Sequence, residues 1–480
     1  MHIAILWFRR DFRLADNAAL QAALRHAETV IPVYIHETGT GEPWPPGAAS
    51  RWWLHHSLAA LDQCLRQKLS RLVIRRGDVL EALQALIRET GAVQVHWNRL
   101  YEPHIATADM KIMSTLHAQG LVAESHAGTL LHEPAQLKTV MGQPYRVFTP
   151  FWKAFQRTVT VTQPLPVPEA LKPPGKWPAS LGLGELYLLP KLGWAKQFAD
   201  FWQPGEAGAH RQLRRFLKRA LADYPQGRNF PGRTQVSYLS PHLHFGEVSP
   251  RQVWHAVCGY AAGESHLENG AGAYLRELGW REFAHHVLVH FPHTTTQPLY
   301  EKYRHFPWRE HYQSLLKAWQ QGRTGYPIVD AGMRELWASG WMHNRVRMLA
   351  ASLLVKNLRV PWQEGSRWFW DTLVDADLAN NTMGWQWSAG CGADAAPYFR
   401  VFNPVLQSRR FDPDGDYIRR WLPELRRVPE KYLHAPWEMS AAEQSQAGCI
   451  IGKDYPQPVI EFSASRREAI AAHKQLNAFR

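Results

Sequence analysis

Short apolar runs rich in β-branched residues recur along the first 125 residues and alternate with helical patterns. The runs are residues 3–8 (IAILWF), 30–35 (VIPVYI), 71–76 (RLVIRR), 93–97 (VQVHW) and 121–125 (LVAES). Between them, stretches such as NAALQAALRHA and VLEALQALIRET place apolar residues at the spacing of one helix face. Strands that alternate with helices predict a Rossmann-like α/β domain, in which a parallel sheet carries helices on both faces.

The first predicted strand leads into RRDFRLADN and not into a G-x-G-x-x-G loop. That loop allows a helix N-terminus to hold the pyrophosphate of a dinucleotide. We therefore expect no conventional NAD site in this domain, although the strand ends could hold a smaller ligand.

The hydrophobic pattern changes after a segment with seven prolines and no period at residues 161–190, which predicts a long connection over the surface. Beyond it, helical spacing prevails. One predicted helical stripe within residues 209–224 consists of Leu213, Phe216, Leu217, Ala220, Leu221 and Tyr224. With 480 residues favouring two domains, we predict an α/β domain at 1–130, a connector at 131–200 and a mostly α-helical domain at 201–480.

The composition adds two hints about ligands. Lys and Arg number 55 against 42 Asp and Glu, which gives a formal charge of +13 and a pI near 9.6. This balance favours a polyanionic partner such as nucleic acid, although many basic proteins bind none. The 22 tryptophans either fill cores or stack on flat rings such as bases and flavins.

Cysteine usage and the N-terminus indicate the compartment. The four cysteines are far apart and form no C-x-x-C pair, which argues against a disulfide framework or a zinc site and fits a reducing cytosol. The opening MHIAILWFRRDFR has the pattern of a first strand and not of a signal peptide, and no later apolar run approaches membrane-spanning length. We expect a cytoplasmic protein with no metal cofactor.

Two predicted helix faces carry chemically useful side chains. Glu277, Trp280 and Arg281 are spaced i, i+3 and i+4, so one face offers a carboxylate, a stacking plane and a guanidinium. Asn344, Arg347 and Met348 share a second face. Either set could also be an ordinary salt-bridged or half-buried surface.

Two further segments are candidates for binding anions or for supplying charge. Ser237 and Ser240 lie among turn formers, where hydroxyl and backbone N–H groups could hold phosphate or simply cap a helix. Asp375 and Asp377 have no Lys or Arg within four residues, and their apolar, Trp-flanked setting makes burial plausible. Residues 384–404, which begin with the pair Trp385 and Trp387, show no helical or strand period.

Long segments of the second half resemble the photolyase/cryptochrome family. The strongest are TGYPIVDAGMRELWASGWMHNRVRM (324–348) and DADLANNTMGWQWSAGCGADAAPYFRVFNP (375–404), and the resemblance extends from WFRRDFRLADN to DYPQP at 454–458. It implies the family fold, with an N-terminal α/β domain, a connector and a C-terminal helical domain that binds one FAD.

The resemblance implies which residues contact FAD. Arg347 would pair with Asp375 beside the flavin, Asp377 would accept from a flavin N–H, and Asn381 would face the flavin N5, as in repair enzymes. Val236 stands where the family has a hydroxyl side chain. The full set is Tyr224, Val236, Ser237, Tyr238, Leu239, Ser240, Arg347, Asp375, Ala376, Asp377 and Asn381.

The resemblance also implies a lesion pocket and an electron-transfer chain. The pocket would contain Glu277, Trp280, Arg281, Asn344, Met348, Trp387 and Gln407, with Glu277 and Asn381 as the catalytic residues. Trp385, Trp362 and Trp308 would carry an electron from the surface to the flavin, although the spacing from Trp308 to Trp319 differs from the family pattern by one residue.

The implied activity is that of a deoxyribodipyrimidine photolyase, a carbon–carbon lyase that repairs cyclobutane pyrimidine dimers by electron transfer from excited FADH⁻. The alternatives are a blue-light receptor and a (6-4) photolyase, whose two pocket histidines are replaced here by Asn344 and Met348. A plain DNA-binding module is a third.

The implied setting and second chromophore follow from the same resemblance. The partner would be damaged DNA, bound by a monomer at the nucleoid of a bacterial cell. For the antenna chromophore we favour methenyltetrahydrofolate, with 8-hydroxy-deazaflavin and FMN as alternatives. One folate-binding pattern has an Asn-Glu pair after the fourth strand, where this chain has His104 and Ile105.

Overall fold

The N-terminal part of the chain forms a five-stranded parallel sheet. A computed structural model describes residues 2–38, 43–191, 193–395, 397–398 and 400–478. The order of the strands in the sheet is β3-β2-β1-β4-β5. Their bounds are β1 Ile3–Phe8, β2 Thr29–His36, β3 Val73–Arg76, β4 Gln94–Asn98 and β5 Val122–His126. All five predicted strands are confirmed. The first four are each followed directly by a helix, whereas β5 leads into a loop and only its Ala123 is buried.

Helices cover both faces of this sheet. They are α1 Ala18–His26, α2 Ala48–Gln67, α3 Val79–Thr90 and α4 Pro103–Ala118. Along β1, Leu6 and Phe8 pack into a cluster with α1 and α2, whereas Ile5 and Trp7 pack into a second cluster with α3. Both faces are therefore apolar, which explains why β1 is a continuous hydrophobic run without alternation.

Strand β4 pairs with the edge strand β5 in a register that places His96 opposite Glu124 and Asn98 opposite His126. Residues in register on neighbouring strands project from the same face of the sheet, and so do residues two apart on one strand. His96, Glu124 and His126 consequently share one face at the edge of the sheet.

The proline-rich segment runs along the α/β domain after α5 (Phe148–Thr158). Leu171 N–H donates to the carbonyl of Lys68 at 2.9 Å, and Leu181 N–H donates to the carbonyl of Ile74 at 3.0 Å. These bonds hold the segment beside β3 and the end of α2.

The rest of the described chain is helical, which confirms the predicted fold class. The α-helices are α6 Phe198–Phe201, α7 Glu206–Arg219, α8 Tyr224–Gly227, α9 Ser240–His244, α10 Pro250–Ala261, α11 Ser265–His290, α12 Gln313–Gln320, α13 Pro327–Ser339, α14 Asn344–Ser352, α15 Trp362–Thr372, α16 Leu378–Ala389, α17 Pro404–Phe411, α18 Asp416–Trp421, α19 Glu430–Leu433, α20 Ala441–Ala447 and α21 Phe462–Ala478. A π-helix, Leu353–Asn357, follows α14. Shorter 3₁₀ turns are at Leu183–Leu186, Gly193–Gln197, Pro292–Thr295, Glu301–His305, Pro423–Leu425 and Pro436–Glu438. The limits proposed for the domains remain predictions.

The stripe predicted within residues 209–224 is not one helix. Helix α7 ends at Arg219, and Tyr224 begins the separate short helix α8. Leu221 and Tyr224 are nevertheless buried in the same cluster as α7. The prediction was wrong about the helix because apolar spacing does not reveal a turn whose residues also face the core.

Trp385 and Trp387 lie within α16, so the prediction that residue 384 onwards has no regular structure was wrong at its start. The helix ends at Ala389, and Gly390 caps it with φ of +77°, a left-handed conformation that favours glycine. Ser388 and Ala389 in the last turn are both buried. Their small side chains therefore belong to a packed helix end and not to an open loop.

The two domains are joined by buried hydrogen bonds. The Glu247 side chain is fully buried, and its Oε1 accepts from Ser57 Oγ at 2.6 Å, from Gly205 N at 2.6 Å and from Trp53 Nε1 at 3.1 Å. Phe12 N–H also donates to the carbonyl of Phe245 at 3.1 Å. The α/β domain is therefore fixed against the segment that contains α9.

Candidate cofactor and DNA site

The loop before α9 has the geometry of an anion cradle. Tyr238 has φ of +54°, a left-handed conformation that is uncommon for a residue with a side chain. Leu239 follows in the right-handed region, with φ of −90° and ψ of −6°. Such alternation turns successive backbone N–H groups toward one concave side, where phosphate oxygens bind well, and here the Leu239 N–H donates to Ser237 Oγ at 3.3 Å. The cradle does not depend on the side chain at position 236.

The side chains around this loop form one contiguous group. Tyr224 packs edge-on against Tyr274, with ring centroids 5.2 Å apart, and the Tyr274 hydroxyl is hydrogen-bonded to Ser237. Burial raises the pKa of both tyrosines, so both keep their protons. Val236 packs on the apolar cluster of the α/β domain and offers no hydroxyl.

Trp341 connects the loop to the Arg347–Asp375 pair. Its ring lies 4.8 Å from that of Tyr238 and 5.8 Å from the Arg347 guanidinium carbon. Arg347 Nη2 donates to both Asp375 oxygens, at 2.8 and 3.1 Å, and Nε donates to the carbonyl of Met342 at 2.7 Å. The structure thus assembles residues that are more than 130 positions apart in the sequence.

Asp377 begins α16 and orients its first turn. Its Oδ1 accepts from Asn380 N–H at 2.8 Å, while Oδ2 lies 3.5 Å from His244 Nδ1 and 3.7 Å from His285 Nε2. Burial alone would raise the pKa of Asp377, but the two histidines and Arg281 outweigh it and hold that pKa well below its usual range. Asp377 is therefore an ionised hydrogen-bond acceptor, and Ala376 before it is buried.

Asn381 lies one turn along α16. Its Nδ2 donates to the carbonyl and to the hydroxyl of Ser366 on α15, at 3.1 and 3.0 Å. These two bonds orient the amide. An amide has no ionisable proton, so position 381 stays neutral at every pH of interest.

A narrow polar cavity of about 20 Å³ lies at the domain boundary beside Asp377. That volume is enough for about one water molecule. Its lining includes charged and titratable side chains, among them Arg10, Glu102, His244, Arg281, His285 and Asp377.

The three tryptophans of the expected electron-transfer chain belong to one apolar cluster. Trp385 and Trp362 are each only 2 % exposed, and the half-buried Trp308 packs against the same cluster. Arg309 N–H donates to the carbonyl of Arg359 at 2.9 Å, which places Trp308 beside the entrance to α15. Trp385 and Trp362 are thus equally buried, and Trp308 is the more exposed of the three.

The aromatic residues expected to contact DNA come from helices that pack together. Helix α11 supplies Trp280, α16 supplies Trp387, and these two helices are in contact. The Trp280 ring stacks on Phe148 of α5 with centroids 3.6 Å apart and planes within 9°. Both tryptophans are half-buried, so each keeps a surface for a ligand.

Glu277 has a partner that the sequence did not reveal. Its Oε1 accepts from Arg228, which follows α8, and both side chains are 31 % exposed. Arg228 also interacts with the Tyr224 hydroxyl. No local spacing links residues 228 and 277, so only the packing of α8 on α11 could identify this pair.

Arg281 points away from the set it was predicted to join. Its Nη1 donates to the carbonyl of Thr129 at 2.9 Å, and its side chain is only 13 % exposed at the domain boundary. Helical spacing places Arg281 near Glu277, but its guanidinium turns toward the Thr129 carbonyl and Asp377, away from Glu277. Its DNA contact remains a prediction that this placement does not favour.

The remaining predicted DNA residues lie on α14 and α17. Asn344 is exposed, with Nδ2 4.0 Å from Met348 Sδ, and Gln407 is half-exposed. Arg345, which lies between Asn344 and Met348 on α14, donates to Asn229 Oδ1 and lies 4.5 Å above the Phe411 ring. Burial, followed by the nearby Arg228 and Arg410, lowers the pKa of Arg345, so three guanidinium groups lie close together here. Sequence analysis missed Arg345, although it lies close to Arg347.

Comparisons with known proteins agree with this geometry. The family profile described as "FAD binding domain of DNA photolyase" matches residues 274–475, and that described as "DNA photolyase" matches residues 4–169. Deoxyribodipyrimidine photo-lyase of Agrobacterium fabrum is 48 % identical over 471 residues, which cover 98 % of this chain and 97 % of that protein. The chain belongs to the photolyase/cryptochrome family.

Other members of the photolyase/cryptochrome family match over the whole chain. A class III photolyase from Agrobacterium tumefaciens has a crystal structure that superposes with a TM-score of 0.96 at 47 % identity, covering 100 % of this chain and 98 % of that one. Cryptochrome-1 of Arabidopsis thaliana is 37 % identical over 99 % of this chain and 71 % of that protein. Both parts of the fold are thus those of a photolyase.

The residues present fit the FAD that this family binds. The cradle at Tyr238 and Leu239 suits a pyrophosphate, and the Arg347–Asp375 pair with Asn381 offers charge and amide groups for a flavin edge. Within the described ranges, no helix combines the length and apolarity needed to cross a membrane.

Proposed function

We propose that this chain is a light-dependent photolyase that splits cyclobutane pyrimidine dimers in DNA. The observation that carries the proposal is the end-to-end similarity to a protein named deoxyribodipyrimidine photo-lyase, at 48 % identity. The side chains described above supply a site with the chemistry that this reaction requires. Bound reduced FAD, when excited by light, supplies one electron to the dimer and receives it back after two carbon–carbon bonds break.

Neutral and ionic groups are placed so that they suit a reduced, anionic flavin. The amide of Asn381, held by Ser366, adds no negative charge and can donate or accept a hydrogen bond. Asp375 is neutralised by Arg347 at 2.8 Å. Asp377 is ionised and accepts N–H groups only, which suits a ring N–H.

Half-buried aromatic rings would hold the dimer outside the DNA duplex. Photolyases extrude their target nucleotides from the stack, so a pocket needs apolar walls to replace base stacking. Trp280 has a fixed plane because it stacks on Phe148, and Trp387 is presented by the adjacent helix α16. Aromatic stacking contributes about 1–3 kcal/mol per base.

Glu277 and Arg228 would act on the dimer as a pair. An ionised carboxylate can only accept, so Glu277 would receive the imide N–H of a pyrimidine. The charge that develops on the pyrimidine carbonyl needs a donor, and the Arg228 guanidinium bonded to Glu277 provides one. Glu277 would thus bind the dimer and also orient Arg228.

Replacement of Glu277 tests this pairing. In Glu277→Ala the dimer loses one charge-assisted hydrogen bond and Arg228 loses its orientation, so we expect dimer affinity about 10- to 100-fold weaker and a lower repair yield. Glu268→Ala on the same helix, where the residue is exposed, is the control. An unchanged repair yield in Glu277→Ala would reject the role.

A repair assay tests the function itself. Purified protein with reduced FAD is mixed with an oligonucleotide that contains one cyclobutane dimer, and intact pyrimidines are measured after blue light and in the dark. We expect repair only in the light, and none of a (6-4) lesion. Flavin absorption without repair would instead support a blue-light receptor, and no bound flavin would support a plain DNA-binding protein.

Damaged DNA would be held largely through charge. The formal charge of +13 and the guanidinium groups of Arg228, Arg345 and Arg410 favour contacts with phosphates, which are blind to sequence. We propose that the chain binds as a monomer. Light scattering of the protein with and without DNA would detect a dimer.

We propose methenyltetrahydrofolate as the antenna chromophore. Release of the bound chromophores by denaturation, followed by mass spectrometry, distinguishes folate from 8-hydroxy-deazaflavin and from FMN. A deazaflavin or FMN in stoichiometric amount would overturn the proposal.

A further inference from the structure

Two imidazoles and a carboxylate converge at the outer edge of the sheet, away from the residues assigned to FAD and DNA. His96 is on β4, and Glu124 and His126 are on β5, all on one face. His96 Nδ1 lies 3.0 Å from His126 Nε2, and Glu124 Oε2 lies 3.8 Å from each of these nitrogens. In the described part of the chain, this is the one such group of three potential ligand atoms.

The distances suit a shared cation. A point equidistant from three atoms separated by 3.0, 3.8 and 3.8 Å lies about 2.1 Å from each of them. Zn–N bonds are about 2.0–2.1 Å and Zn–O bonds about 2.0–2.2 Å long. A direct hydrogen bond between the imidazoles accounts for the 3.0 Å contact, but Glu124 is too distant to take part in it.

We propose that His96, Glu124 and His126 form a binding site for a divalent transition-metal ion, with Zn²⁺ as the best match. Two imidazoles and one carboxylate are typical zinc ligands, and water would occupy the open coordination position. Cu²⁺ and Ni²⁺ also favour imidazole nitrogens, whereas Mg²⁺ and Ca²⁺ favour oxygen ligands only.

The neighbours of His96 leave its site-facing nitrogen unprotonated; that nitrogen lies 3.0 Å from His126 Nε2, a contact that a metal ion would replace. Gln94 Nε2 donates to the carbonyl of His26 at 3.2 Å, so its Oε1 must face the other way and accept. His96 Nε2 lies 3.0 Å from that oxygen and therefore carries the ring proton. Nδ1 is then the unprotonated nitrogen. A polar partner that fixes the tautomer in this way is typical of metal-binding histidines.

Arg25 and His26 at the end of α1 and Arg99 after β4 are the cationic or titratable groups near this pair.

Solvent reaches the site from the edge of the sheet. The side chain of Glu124 is 53 % exposed and that of His126 19 %, whereas His96 forms the buried end at 1 %. A bound ion would join the edge strand β5 to β4 through side chains. Its expected effect is on the stability of this edge and not on repair.

The test measures Zn²⁺ binding by the FAD-containing protein after treatment with a chelator. Calorimetry and elemental analysis should show one high-affinity Zn²⁺ per chain, and Zn²⁺ should raise the thermal unfolding midpoint. Glu124→Gln and His126→Asn each remove one ligand, so each should weaken binding on the order of 100-fold and abolish the Zn²⁺-dependent shift. Glu124 is exposed, so its variant should fold normally.

The matched control is His117→Gln, because His117 of α4 bonds the carbonyl of Ala123 next to the site but is not one of the three ligands. It should bind Zn²⁺ as the wild type does, and light-dependent repair should be unchanged in all three variants. No binding by the wild-type protein at about 100 µM Zn²⁺, or equal affinity in the wild type and both ligand variants, would overturn the proposal.

Discussion

Trp385 and Trp387 have different surroundings because they are two residues apart on one helix. That spacing turns their side chains about 200° apart around the axis of α16. Trp385 is 2 % exposed and contacts Phe369 and Trp319, with ring centroids 5.0 and 6.1 Å away. Trp387 is half-buried. Gln386 between them donates to the carbonyl of Thr294 at 2.6 Å and anchors this turn.

The two tryptophans should therefore fail in different ways. Trp385→Phe should slow photoreduction of oxidised FAD by roughly tenfold or more and leave dimer binding intact, because an oxidisable indole is lost from the core. Trp387→Ala should weaken dimer binding by about 1–3 kcal/mol and leave photoreduction intact. Flavin absorption under light and binding to a dimer-containing oligonucleotide measure the two properties. The same defect in both variants would contradict the assignment.

Helices α15 and α16 approach each other closely at one glycine. A Cβ atom at Gly365 would overlap the six-membered ring of Trp385. Gly365 is one turn after Trp362, so the contact that brings the two helices together also brings Trp362 and Trp385 into one cluster. The electron-transfer chain that we propose therefore depends on this close approach, as the packing does.

Gly365→Ala should be destabilising because the extra methyl group overpacks a core that cannot shift easily. We expect a loss of about 1–3 kcal/mol in the free energy of unfolding and slower photoreduction of FAD. Gly384→Ala on α16 is the matched control, since a Cβ there meets no atom within 4 Å. Alanine in that exposed helical position should add about 0.4–1 kcal/mol. Urea denaturation measures the free energy of unfolding of both variants. A Gly365→Ala variant as stable as the wild type would contradict the close packing of α15 against Trp385.

The domains are connected by buried carboxylates as well as by apolar contacts. Glu282 of α11 accepts from the backbone N–H of Leu131 at 3.0 Å and of His132 at 3.4 Å, at the start of the connector. Burial raises the pKa of Glu282 to about 7, more than Arg281 and the two N–H groups lower it. The native protein therefore binds a proton here that the unfolded chain releases above its ordinary pKa of 4.5.

Stability should consequently depend on pH through Glu282. The native state is more protonated than the unfolded chain between about pH 4.5 and 7, so the free energy of unfolding should fall as the pH rises through this window. The loss attributable to Glu282 should be about 3 kcal/mol. Glu282→Gln should remove it, whereas Glu268→Gln should not. Urea denaturation at about pH 5 and about pH 8 measures how the free energy of unfolding changes with pH. The same change in the wild type and in Glu282→Gln would disprove the role of Glu282.

The five strands, the parallel sheet that they form and the helical second half could all be predicted from the chain. Apolar runs such as residues 3–8 and 30–35 have only one way to bury both faces, which is a central strand between two helical layers. The family motifs at 324–348 and 375–404 added the identity of the candidate site residues. Local spacing and recognisable segments are properties of a sequence.

Tertiary structure alone decided which side chains meet. Glu277 pairs with Arg228, Arg281 turns to Thr129, and His96 meets His126 across two strands. Each of these contacts joins residues 30 or more positions apart in the sequence. In each case the side chain bonds the polar group that the fold brings closest to it. The pKa of Glu282 likewise depends on burial that only the packed domains create. Periodicity indicates which face of an element is buried, and it carries no information about the partner on the other side.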